Sequence, residues 1–87
     1  DIREPVLVCC STRSASPSAP TAEELRSADC VLDVRHMVQR AALLGTDVTV
    51  VRVPGGVHDL ALSPRPARET YERAAVGWAL ERLPALT

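Results

Sequence analysis

The sequence predicts an α/β fold, a βαβα arrangement at the edge of a larger, doubly wound, mostly parallel sheet. Three observations lead there. "PVLVCC" (5–10) and the valine-rich "DVTVVRV" (47–53) are short apolar runs of the kind that parallel sheets bury on both faces. Between them Val34, Met37, Val38, Ala41 and Leu44 recur at helical spacing and make one apolar face. After the second run a long helical pattern closes the chain. Two strands joined through a helix form a right-handed crossover with parallel strands. Two such strands do not make a stable sheet, so neighbours are expected.

The elements follow in order. A strand covers 5–10, and the Ser-, Ala- and Pro-rich "STRSASPSAPT" (11–21) is a loop. A short helix over 22–28 can be capped by Thr21, with Glu24 completing a capping box. The amphipathic helix spans about 34 to 44, with Asp33 at the N-cap and Gly45 at C′. The second strand spans 47–53 and stops at Pro54-Gly55-Gly56. The last helix runs from 65 or 67 to 83, started by Ser63 and Pro64 and ended by Pro84. Its buried stripe is Tyr71, Ala74, Ala75 and Trp78, widened by Val76, Leu80 and Leu83. Trp78 is the expected sheet-packing anchor. Glu69 and Arg73, four apart, are an expected surface pair.

Composition bounds the function. The chain has 87 residues, room for one domain at most. A chain this short buries only about 60–65% of its unfolded surface. The net charge of -1 favours neither nucleic acid nor an anionic membrane. No apolar run reaches the ~20 residues of a transmembrane helix, and no N-terminal signal pattern is present. Three cysteines, Cys9, Cys10 and Cys30, fit free thiols in a reducing, cytoplasmic setting better than a disulfide framework. All ten basic residues are arginine, a usage that suggests a GC-rich bacterial coding sequence.

In open α/β sheets, active groups gather at the carboxyl ends of the strands. Two loops sit there, 11–21 and 54–63, and His58 lies in the second. An imidazole can take and return a proton near neutral pH. The competing reading is a loop histidine with a structural hydrogen bond. Asp59, adjacent on the chain, suits a turn cap or an arginine partner. His36 falls off the apolar stripe and is read as solvated. The cysteines and histidines lack zinc-site spacing, so no metal is expected. A buried apolar setting also argues against a cysteine nucleophile.

"PVLVCCS", "ADCVLDV", "LGTDVTVVRVPGGVHDLALS" and the closing helix with Trp78 together resemble the C-terminal end of an α/β hydrolase. The likeness is to the serine aminopeptidase-like and monoacylglycerol lipase-like bacterial hydrolases, and it covers nearly the whole chain, 1–87, as a C-terminal fragment of such a domain. The resemblance implies that His58 is the catalytic base of a serine hydrolase acting on carboxylic esters or acyl lipids through an acyl-enzyme, without a cofactor. Its partners would be that substrate and the rest of the hydrolase domain.

Two features depart from the family. No G-x-S-x-G elbow surrounds Ser11, Ser14, Ser16, Ser18, Ser27 or Ser63, so the nucleophile is expected upstream and the isolated chain is expected to be inactive. Thr12 stands where the family usually carries the triad acid. Asp33 is the first candidate to replace it, although an N-cap role competes for that residue. Asp29 is the second, and loss of the acid is the third possibility. The alternative to an enzyme is a non-catalytic βαβα interaction module or a degenerate hydrolase relic.

Overall fold

The computed structural model describes residues 2–16 and 18–86, with side chains through Arg82. The order is β1 (Val6–Ser11), α1 (Ala22–Ser27), α2 (Val34–Ala41), β2 (Val48–Val53), a 3-10 turn (Leu60–Leu62) and α3 (Arg65–Leu86). β1 and β2 pair in parallel, from Val6 opposite Val48 to Ser11 opposite Val53. The βαβα arrangement is therefore present as a small α/β unit with a two-stranded sheet.

Side-chain alternation divides the sheet between two helices. Leu7, Cys9, Thr49 and Val51 face α3, where Tyr71, Ala75 and Trp78 lie against them. The other face, with Val8, Cys10 and Val50, is left for α2, which packs on both strands and buries Val34 and Ala41. On the α3 side the core is Val53, Leu60 and Ala67, with Cys9, Val51 and Tyr71 packed around it.

Local chemistry accounts for each boundary. Thr21 and Glu24 form the capping box of α1 in both directions, at 3.1 and 2.9 Å. Asp33 caps α2 by accepting from the Arg35 amide at 2.9 Å. That helix ends at Ala41, a turn earlier than its apolar spacing predicts, and Leu43 and Leu44 emerge exposed. Gly45 is accordingly not a helix cap. It forms an isolated bridge with Ile2, and a Cβ there would collide with the Ile2 carbonyl.

The last helix runs past Pro84 to Leu86. A proline so near a helix end removes one hydrogen bond and disturbs little beyond it. Only part of its expected stripe is covered. Tyr71, Ala74, Ala75 and Trp78 are half-buried, whereas Val76 and Leu80 are exposed because no other element among the described residues reaches that side. The Leu83 side chain lies outside the described residues. Glu69 pairs backward with Arg65 at 2.8 Å rather than forward with Arg73.

The molecule is thin, with Cα extents of 45 × 27 × 13 Å and a radius of gyration of 14.0 Å. A compact chain of this length has a radius near 12 Å. Its accessible surface is 5910 Å², against about 5000 Å² for a folded monomer of this mass. The difference, about 900 Å², is close to what one partner contributes to a standard protein interface. No helix among the described residues is long and apolar enough to cross a membrane.

Candidate functional site: a buried aspartate holding a loop histidine

The chain leaves β2 through Pro54-Gly55-Gly56. Gly55 takes a φ of 75°, which a side chain would make costly, and so reverses the backbone sharply. The Gly56 amide donates back to the Val53 carbonyl at 3.1 Å. His58 follows on the rim, with its side chain 43% exposed. Asp59 caps the 3-10 turn by accepting from the Ala61 amide, and Leu60 anchors the loop in the core.

The partner of His58 comes from the other loop. After β1 the chain runs out through Arg13–Ala15 and returns past α1 to lie alongside itself. The Asp29 amide donates to Arg13 at 2.9 Å, and Ala15 donates to the Asp29 carbonyl at 3.0 Å. This bridge delivers Asp29 to the carboxyl end of the sheet. Its side chain is only 2% exposed. Oδ1 accepts from the Val31 and Leu32 amides at 2.8 and 2.9 Å. Oδ2 stands 3.0 Å from His58 Nδ1.

Burial alone would raise the Asp29 carboxyl. The Leu32 amide, the His58 imidazole and the Val31 amide together outweigh that effect and hold it below the ordinary carboxylate range. An ionised carboxylate only accepts, so Nδ1 carries the proton and donates to it. In the neutral imidazole Nε2 is then left with its lone pair. Among the described residues no hydrogen bond engages it.

His58, Asp59 and Leu60 line an open groove of about 470 Å³ with Leu7, Cys9, Tyr71 and Ala75. The arrangement can orient an imidazole, fix its tautomer and stabilise it when protonated. The described residues contain no group of three or more metal-ligating side chains that could hold an ion. Burial raises the thiols of Cys9 and Cys10, which disfavours the thiolate a nucleophile requires.

The two aspartates weighed from sequence thus separate. Asp33, the first candidate, is turned to α2, where it caps the helix and pairs with Arg35 at 3.3 Å. The Arg35 side chain and amide hold its carboxyl below the ordinary range. Asp29, the second candidate, reaches His58. Thr12 offers its carbonyl to Arg52 at 3.4 Å and takes no part in the pair. His36 is exposed on α2.

Sequence reasoning also missed Ser14 and Ser63. The Ser14 hydroxyl donates to the Leu32 carbonyl and accepts from the Val34 amide, both at 2.8 Å. Ser63 does not begin α3; its hydroxyl accepts from the Val57 amide at 3.0 Å. No local pattern announces these three bonds, which span from six to twenty residues. No family model matches the chain, and no curated protein or solved structure is detectably similar to it.

Proposed function

We propose that His58 and Asp29 are the base and acid of a Ser-His-Asp relay, and that this chain is the C-terminal part of a serine α/β hydrolase. The substrates would be carboxylic esters or acyl lipids. The observation that supports this reading best is the pair itself. A nearly inaccessible carboxylate, held below the ordinary carboxylate range, stands 3.0 Å from Nδ1 of a half-exposed rim histidine, and among the described residues no hydrogen bond engages Nε2. In such a relay Nε2 takes the serine proton as Oγ attacks the acyl carbon. It then returns that proton to the departing alcohol, and the acyl-enzyme is hydrolysed by the same steps with water.

The serine would come from the remainder of the domain. That remainder has a surface to meet. Among the described residues β1 is paired on one side only, the groove at His58 opens beside it, and the chain exposes about 900 Å² more than its mass warrants. The three free cysteines suit a cytoplasmic location.

A fluorophosphonate probe applied to the 87-residue chain should label no serine. The deciding experiment is to read the coding sequence in frame ahead of Asp1 and assay the resulting protein. A G-x-S-x-G elbow with esterase activity that falls by on the order of 10⁴-fold or more in His58→Ala and Asp29→Ala supports the relay. A reading frame without an elbow would leave a non-catalytic βαβα module and overturn it.

A further inference from the structure

We infer that Ser63 and Ser14 are positioning residues for the His58–Asp29 pair, each tying one member to one helix. The inference rests on reading the pair as catalytic, but its test does not.

On the histidine side, the Val57 amide immediately precedes His58. It donates to Ser63 Oγ across a six-residue loop, at 3.0 Å. Ser63 is 3% exposed, so water does not readily replace the hydroxyl. Pro64, the next residue, starts α3 by accepting from the Arg68 amide at 3.0 Å. The backbone beside His58 is therefore referenced to the first turn of α3. Leu60, between the two ends of this loop, is buried at 6% exposure and pins the middle.

On the acid side, the Asp29–Leu32 turn is closed internally by Oδ1. Its far end is held by Ser14, whose hydroxyl spans the Leu32 carbonyl and the Val34 amide. Val34 is 2% exposed and opens α2, so Asp29 is referenced to the first turn of that helix. Arg13 and Ala15, on either side of Ser14, bond the Asp29 backbone. One hydroxyl on each side thus ties a helix to a partner, beside the Leu60–Ala67 packing on the histidine side and the Arg13 and Ala15 backbone bonds on the acid side. Loss of either hydroxyl frees one loop and lengthens or misaligns a bond that now stands at 3.0 Å. Misplacements of about 1 Å cost a catalytic group on the order of 10²-fold.

The test is solution NMR of the full 87-residue chain with ¹⁵N-labelled histidine, in a His36→Gln background so that His58 alone is observed. The wild-type background should show the Nδ1–H tautomer, with its proton protected from exchange. Ser63→Ala and Ser14→Ala should each mix the tautomers and speed that exchange by about tenfold or more, as expected when a local opening becomes easier. Ser63→Thr and Ser14→Thr should restore the protected signal. Val48→Ala, at the amino end of the sheet, lowers the melting temperature and should leave the signal unchanged, which separates positioning from general stability. Ser63→Cys, close in size but a weaker acceptor, gives an intermediate exchange rate and carries the test where the alanine variant unfolds. Alanine variants that keep the wild-type tautomer and exchange rate overturn the inference. Failure of the catalytic reading shows elsewhere, as a reading frame without a serine elbow.

Discussion

The two ends of the sheet are built differently. At the carboxyl end, Cys10, Ser11 and Val53 are buried, and Asp29, Leu60, Ser63 and Ala67 close over them. At the amino end, Val6 and Val48 are half-buried, while Ile2, Leu43 and Leu44 are exposed. Both ends are rich in apolar residues, so hydrophobicity alone does not separate them. The carboxyl end has something further: two loops whose backbone amides are taken up by Asp29, Ser14 and Ser63. Chain can cross a buried region only where its polar groups find partners. Where those partners exist the loops fold over the sheet. At the amino end the amides of Ile2, Leu43 and Leu44 donate to the carbonyls of Leu44, Arg40 and Ala41, bonds that tie neighbouring turns together without drawing a loop over the sheet, and the apolar side chains stay in water.

The largest break in this contrast comes from Asp29→Ala. Two amides and an imidazole would lose their acceptor at a nearly inaccessible position, which costs about 3 kcal/mol. Urea unfolding should show a lower midpoint of that size, with loops 29–33 and 57–63 losing amide protection first. Val53→Ala, at 0% exposure in the core beneath the same loops, should cost about 2 kcal/mol.

Acid provides a reversible version of the first experiment. The folded-state value of Asp29 is lowered, whereas an unfolded aspartate titrates near 3.9. Its contribution to stability is therefore complete above the unfolded value and is lost as pH falls through the lower folded value. Melting temperatures taken from about pH 5 to pH 2 should fall less steeply in Asp29→Asn than in wild type. An equal slope would mean that the ionised pair does not stabilise the fold.

Asp33→Ala should have a smaller effect, confined to fraying of α2 in circular dichroism, with the His58 tautomer unchanged. Loss of the His58 signal in that variant would return Asp33 to the site. The smallest effect is expected at the amino end. Leu43 is 80% exposed, so Leu43→Ser should shift stability by no more than about 0.5 kcal/mol. A larger loss would mean that this end is packed after all.

Much of the backbone was legible from short-range pattern. The two valine-rich runs became β1 and β2 within a residue of their expected ends. Thr21 with Glu24 and Asp33 marked the starts of α1 and α2, because capping acts over two or three residues. The expectation that α2 reaches Leu44 failed because helical spacing reports which residues share a face, not whether a neighbour covers it. Val76 and Leu80 misled for the same reason.

By itself the sequence determined the strands, the N-caps of α1 and α2, the sharp turn at Gly55 and the placement of His58 beyond the second strand. These depend on propensity and on bonds between near neighbours. Tertiary structure alone decided which aspartate meets His58. Asp29 and Asp33 lie four residues apart in one loop; the local pattern marks Asp33 as a cap, but nothing local says that Asp29 reaches the histidine. Asp33 is spent on α2, one residue ahead of the helix it caps. Asp29 is carried to the histidine, twenty-nine residues away, by the backbone bridge to Arg13 and Ala15. That bridge exists only once the loop after β1 has folded back on itself, so no pattern along the chain could encode it visibly.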